Sequence, residues 1–157
     1  MRFVIAALLL LGLTSPTHAG TWGLGQFDND HSRDTASDWA QSGNVDSVRA
    51  ALSSALSAEY LESPDAVDAL VAAEVVAAAL DQPSDKLPAD LAAWIKRLPS
   101  DRLRSLAPQA RAAVARVRSP ETSELYELWA EAELEAWLSH VDALSKRLES
   151  SMHHQAP

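Results

Sequence analysis

The sequence predicts an all-α fold, a single-domain bundle of about five to seven helices behind an ordered N-terminal loop rich in glycine and tryptophan. Three observations predict this class. Apolar residues recur at three- and four-residue steps through alanine-rich stretches, prolines separate those stretches, and no stretch alternates as a half-buried strand does. With 157 residues, 47% of them hydrophobic and none of them cysteine, the chain is long enough to fold by packing alone.

The first elements are a loop and a short helix. Residues 20–32 hold three of the five glycines and have no helical period, which predicts a loop. Trp22 and Phe27 are its predicted aromatic anchors, with an exposed recognition residue as the alternative for Trp22. A short helix is predicted over residues 34–42, with Trp39 on its inner face.

Capping residues place the next two helices. Asn44 is a suitable N-cap for a helix that runs to about residue 61. A second helix begins at Ser63, a capping residue, with Pro64 at its first position and Asp65 near the positive end of its dipole. It runs to about residue 80. The apolar stripe of the first of these helices is Val45, Val48, Leu52, Leu56 and Tyr60.

Prolines divide the second half of the chain. Helices are predicted over residues 88–98 and from Pro108 to about residue 117, with a restart at Pro99 between them. The last helical region opens at Thr122 or Ser123. Its predicted inward residues are Leu125, Leu128, Trp129, Trp137, Val141, Leu144 and Leu148.

The two ends of the chain are predicted to lie outside the domain. Residues 1–19 combine a basic start, an apolar core and a small final residue, Ala19, which is the pattern of a cleavable secretory signal. The core is shorter than the ~20 residues of a spanning helix, and an uncleaved anchor is the alternative. The sequence therefore predicts a periplasmic or secreted domain over residues 20–150, with a disordered tail at 151–157.

Charge limits the partners. Loss of Arg2 with the signal changes the formal net charge from −9 to −10. Such a chain is unsuited to the phosphates of nucleic acid and to anionic membrane surfaces. After signal cleavage we therefore expect no nucleic-acid or membrane binding, whereas a basic protein partner remains compatible with the charge.

One N-terminal motif is specific. Residues 20–30 read G-T-W-G-L-G-Q-F-D-N-D, and residues 36–39 read A-S-D-W. This opening resembles the bacterial family called domain of unknown function 4259. The alanine-rich residues 69–78 and the S-E-L-Y-E-L-W of residues 123–129, followed by Trp137, are similar to two further family segments.

The resemblance covers nearly all of the chain that follows the signal. It departs from the family at residues 31–35, where members more often have a single residue, and four extra residues are about one helical turn. The resemblance implies a domain identity. It implies no activity, substrate or cofactor.

The aspartates near this motif are the first candidates for chemistry. Asp28, Asp30 and Ser32 have the spacing of the first ligands in an EF-hand. Arg33 and Trp39 stand where that loop needs glycine and a bidentate glutamate, so an EF-hand is excluded and no metal is predicted. A looser cation site is the open alternative.

A structural role is the favoured interpretation of the same segment. Asp28, Asn29 and Asp30 are predicted to bond the backbone of their own loop or to cap the first helix. Asp38 completes the cluster of candidate carboxylates.

Glu74 is the other candidate. It lies at the centre of residues 70–80, which are otherwise apolar, so we expect it to be partly buried and to have a partner. The favoured interpretation is a structural anchor that holds the N-terminal loop or an arginine such as Arg111. The alternative is a general acid or base with a raised pKa.

Three functions remain after the motifs are weighed. The first is a non-catalytic protein-binding module, of the kind that inhibitors and immunity proteins represent. The alternatives are a small-ligand-binding or structural envelope protein, and a hydrolase-type enzyme in which Glu74 acts with Asp28 or Asp30. No cofactor is predicted.

Overall fold

The computed structural model describes residues 23–150, which form eight α-helices and no strand. The all-α prediction is confirmed. The count exceeds five to seven because α5 is a helix of only five residues. The helices are α1 (Asp30–Ser42), α2 (Val45–Ser57), α3 (Ser63–Ala79), α4 (Ala89–Ile95), α5 (Ser100–Arg104), α6 (Ala107–Val117), α7 (Glu124–Ala130) and α8 (Leu134–Ser150).

Helix α3 is the centre of the bundle. It contacts each of the other seven helices, and residues 69–77 are buried without interruption. Small alanine side chains let the neighbouring helices approach it from all sides. A helix that is apolar all round is stable only inside a protein, and so α3 forms the core on which the other helices pack.

Side-chain caps explain where the helices begin. Asn44 and Ser123 cap α2 and α7 as the sequence predicts, each accepting a hydrogen bond from a backbone N–H of the first turn. Helix α1 begins at Asp30, four residues before the predicted start. The reason is Asn29, whose Oδ1 accepts from the Ser32 backbone N–H at 2.8 Å.

The predicted start of α3 at Ser63 is confirmed, whereas the predicted end of α2 and the predicted side-chain cap of α3 are wrong for one reason. Helix α2 stops at Ser57 because Leu61 pairs with the segment before α7, donating to the Thr122 carbonyl at 2.8 Å. Ser63 does not cap α3 with its side chain. Its backbone N–H donates instead to the Glu124 carboxylate at 2.7 Å, so a residue 61 positions away satisfies the helix start.

The predicted apolar stripes are mostly buried, with three exceptions. Leu56, Tyr60 and Leu128 were expected to face inward, and they are 40%, 44% and 47% exposed. Tyr60 lies in the segment that contacts the start of α7, Leu56 lies in the last turn of α2, and Leu128 lies on α7.

Some predictions fall outside the described residues. They are the signal at 1–19, Trp22 and the tail at 151–157. Among the residues that the structure describes, no helix has the length and apolar character needed to cross a membrane.

Candidate functional site

The glycine loop before α1 closes around Asp28. The Asp28 carboxylate accepts from the Gly25 N–H at 3.0 Å, and the Gly23 N–H donates to the Asp28 carbonyl at 3.3 Å. A Cβ on Gly23 would lie 2.3 Å from the Asp28 Cβ, and one on Gly25 would lie 2.7 Å from the carboxylate. These glycines are needed because the backbone passes directly against the Asp28 side chain.

A lysine from the linker between α3 and α4 completes this contact. Lys86 Nζ lies 3.1 Å from the nearer Asp28 oxygen. Its hydrogen bond lowers the pKa of Asp28 from the ordinary value of 3.8; burial opposes the change, while the Gly25 N–H and the charges of Lys86 and His140 add to it. Asp28 therefore joins the loop to the linker as a carboxylate.

The neighbours of Asp28 have separate roles. Phe27 is buried in the core, and Asn29 caps α1. Asp30 is exposed and lies 3.5 Å from Arg33, which also donates to the Phe27 and Asp28 carbonyls. The side chain of Asp30 thus points away from the contact that Asp28 makes.

Asp38 and Trp39 lie on different sides of α1. Asp38 is exposed. Trp39 packs against Trp94 of α4, with ring centroids 6.5 Å apart and planes inclined by 37°. Trp94 donates from its indole N–H to the Gly43 carbonyl at 3.1 Å, which fixes the end of α1 against α4.

Glu74 is fully buried and is paired with an arginine. Arg147 of α8 donates to both carboxylate oxygens, at 2.8 and 2.6 Å, and also to the Gln82 carbonyl at 3.2 Å. The expected partner Arg111 is wrong, because Arg111 donates to the Leu148 carbonyl instead. The two-pronged geometry matches a guanidinium to a carboxylate and leaves neither Glu74 oxygen without a donor.

Arg147 was not predicted from the sequence as the partner of Glu74. A signal for it exists, since Arg147 directly precedes Leu148 and follows Leu144 by three residues on the inward stripe of α8. A basic residue at the border of such a stripe lies close enough to the core to meet a buried carboxylate.

The two carboxylate pairs meet on one linker. In the linker of residues 81–87, the Gln82 carbonyl accepts a hydrogen bond from Arg147, and the Lys86 ammonium donates to the Asp28 carboxylate. Glu74 and Asp28 nevertheless each bond to their own cation. Across residues 23–150 no three histidine or acidic side chains are grouped so as to hold a metal ion.

A small cavity lies beside the glycine loop. Its lining includes Gln26, Leu70, Leu125, Trp129 and Trp137, and its volume is about 10 Å³, comparable to the space for one water molecule. The rings of Trp129 and Trp137 stack with centroids 6.2 Å apart. The space is far smaller than a pocket for an organic ligand.

Comparison with known proteins places the domain. The family described as domain of unknown function (DUF4259) matches residues 20–140. The chain belongs to the DUF4259 family. No curated protein and no solved structure matches it. The matched residues include the glycine loop, α3 and α7, so all three belong to this family's domain. The family description assigns no activity.

Proposed function

We propose that this DUF4259 chain is an exported, non-catalytic module that binds a basic protein partner. The observation that carries the proposal is the distribution of charge. Arginines of the described residues bond within the chain, whereas carboxylates are exposed to solvent.

The arginine contacts fall into two groups. Some donate to backbone carbonyls, namely Arg33, Arg97, Arg104, Arg111, Arg116 and Arg147. Others pair only with carboxylates, namely Arg49, Arg102 and Arg118. Every arginine in residues 23–150 belongs to one group or the other.

Acidic side chains outnumber basic ones, with 22 Asp and Glu against 13 Lys and Arg, and many of them are exposed. Glu131, Glu133 and Glu135 form an exposed acidic run that follows α7 and enters the first turn of α8. Other exposed acids occur around the molecule, and they include Asp34, Asp38, Glu59, Asp65, Asp90 and Asp101. Such a surface attracts a basic protein over long range and repels acidic ones.

The bonding of Glu74 and Asp28 favours this proposal over the hydrolase alternative. Glu74 and Asp28 were the residues that a hydrolase would need, and each bonds to a cation of the same fold. Export enters the proposal through the signal-like residues 1–19, and with it a periplasmic or secreted location.

The test is a crosslinked pull-down from the native envelope fraction. The chain is expressed with its own N-terminal segment, purified after processing, and used as bait at low and at high salt. We expect one stoichiometric basic partner whose capture falls as salt rises, because salt screens exposed charges. Absence of any partner, or capture that salt leaves unchanged, contradicts the proposal.

Two variants distinguish the contribution of charge to partner capture from that of side-chain shape. Changing Glu131, Glu133 and Glu135 together to Gln removes three charges, whereas changing all three to Asp keeps them. Capture should fall for the Gln variant and persist for the Asp variant.

A further inference from the structure

Among the described residues, three large hydrophobic side chains are exposed, and two of them lie on segments that pair with each other. Leu56 lies in the last turn of α2, Tyr60 follows that helix, and Leu128 lies on α7. Single exposed hydrophobic residues are ordinary, but a group beside one helix junction indicates a contact surface.

Backbone pairing brings these segments together. Leu61 donates to the Thr122 carbonyl at 2.8 Å, and Glu124 donates to the Leu61 carbonyl at 3.0 Å. Residue 60 therefore lies beside the start of α7. The Tyr60 hydroxyl donates to the Glu127 carboxylate at 3.1 Å.

Helix periodicity places Leu128 on the same side. Glu124 bonds to the Ser63 N–H and Glu127 to Tyr60, so both point toward residues 60–63. Leu128 follows Glu124 by four residues and therefore shares its face of α7. We call Tyr60 and Leu128, with the carboxylates of Glu62, Glu124 and Glu127, the Tyr60 face.

The Tyr60 face is acidic. The pKa of Tyr60 is raised above the ordinary value of 10.0, first by shielding of the phenol from water and then by the hydrogen bond and charge of Glu127 and the charges of Glu124 and Glu62. Three carboxylates thus lie near one exposed aromatic ring.

One basic residue lies at this junction. Arg116 donates to the Ala58 and Glu59 carbonyls and to the Thr122 hydroxyl. Its guanidinium is thus bonded to the backbone that carries Tyr60, where it ties the two segments together.

We propose that the Tyr60 face is the docking surface for a basic protein partner. An apolar side chain of that partner packs on Tyr60 and Leu128, and its lysines or arginines lie among Glu62, Glu124 and Glu127. The inference rests on the proposed function. Tyrosine is a frequent centre of binding energy at interfaces because it offers a large ring and a polar hydroxyl.

Charge complementarity selects this occupant. A second copy of the chain would bring the same three carboxylates to the contact, and like charges placed together cost binding energy. A partner with basic residues spaced around an apolar stripe satisfies both features of the face.

The test uses two synthetic helical peptides with the same apolar stripe. One carries lysines on its polar face and the other carries glutamates. The processed chain, labelled with ¹⁵N, is titrated with each and its amide shifts are followed by NMR. We expect only the lysine peptide to bind, with shifts confined to residues 56–62 and 124–128.

Variants define the contribution of the face. Tyr60→Ala combined with Leu128→Ala should weaken binding about tenfold, an ordinary loss for two central contact residues. Both side chains are substantially exposed, and the amide spectrum of the free variant checks that the fold persists. Glu127→Gln should weaken binding more than Glu135→Gln, which removes the same charge elsewhere.

The outcomes separate the two proposals. Shifts spread over other faces, equal binding of both peptides, or self-association of the chain through these residues in sedimentation would overturn the inference. If the pull-down yields a basic partner whose capture ignores the double variant, the proposed function stands and the Tyr60 face does not. If the pull-down yields no partner, the proposed function fails. The peptide titration then still shows whether the Tyr60 face binds a basic peptide.

Discussion

At the scale of single residues, two carboxylates hold segments that are far apart in the sequence. Glu74 joins the central helix to α8, and Asp28 joins the glycine loop to Lys86. They differ in exposure. The Glu74 side chain is fully buried, whereas the Asp28 side chain is 32% exposed, so water screens the second pair far more.

Removing the charge of Glu74 should be costly. We expect Glu74→Gln to lower the free energy of unfolding by about 2–4 kcal/mol, because Arg147 loses its counter-charge in a site that water reaches only partly. Urea unfolding followed by tryptophan fluorescence measures the loss. A variant as stable as the parent would contradict the role of Glu74 as a structural anchor.

A double variant supplies the control for Glu74. Replacing Glu74 by Leu and Arg147 by Met together leaves no unpaired charge. It should recover part of the stability that Glu74→Gln loses, since apolar side chains of similar size can replace a buried ion pair.

Asp28 should make stability depend on pH. Its pKa is lowered in the folded chain, so the folded state binds the proton less tightly than the unfolded state. The carboxylate therefore stabilises the fold above pH ~4, and that contribution is lost as the pH falls through the folded pKa.

The measurement compares Asp28→Asn with the parent chain across this range. We expect the variant to be less stable by about 1 kcal/mol at pH 7 and the difference to shrink below pH ~4. Asp38→Asn, at an exposed position of α1, should change little at either pH. Equal losses for the two variants would show that Asp28 makes no special contribution.

At the scale of elements, capping residues were the most informative part of the sequence. Asn44 and Ser123 marked helix starts correctly because a cap acts within its own first turn. The end of α2 could not be predicted in the same way. It depends on Leu61 pairing with residues 122–124, a contact that no local pattern encodes.

At the end of α1, the backbone leaves no space for a side chain on Gly43. A Cβ on Gly43 would lie 2.7 Å from the Trp39 Cα and 2.8 Å from its carbonyl oxygen, which are backbone atoms. Gly43→Ala should therefore displace the turn that Trp94 bonds and lower the free energy of unfolding by about 1–3 kcal/mol. Thermal unfolding measures it.

A neighbouring position serves as the comparison. Ser42→Ala changes an exposed residue of the same turn and should alter the stability by less than about 0.5 kcal/mol. If Gly43→Ala lowered the free energy of unfolding as little as Ser42→Ala, the turn would accommodate a Cβ at residue 43, and the steric argument would be wrong.

At the scale of the whole molecule, periodicity and composition were sufficient for the fold class. The all-α bundle is confirmed, and so is the family resemblance. The helix that became α3 was predicted from its start at Ser63 and its apolar residues. Partial burial of Glu74 was predicted from the apolar residues around it, and a partner was predicted because a buried carboxylate without one is costly.

Pairing between distant residues was beyond the sequence. Arg111 was the expected partner of Glu74, and Arg147 is the actual one, because the choice depends on how α8 packs across α3. The exposure of Leu56, Tyr60 and Leu128 was missed for a similar reason. An apolar stripe predicts which face of a helix is buried. It does not predict which part of that face the neighbouring helices leave exposed.

The late position of Arg147 has a consequence for synthesis. Arg147 follows Glu74 by 73 residues, so the growing chain carries α3 with a charged and unpaired carboxylate until the last helix has been made. A charge inside an apolar run keeps that run from associating with similar runs on other chains. We therefore expect the same glutamate that pairs with Arg147 in the folded bundle to disfavour aggregation while the bundle is incomplete.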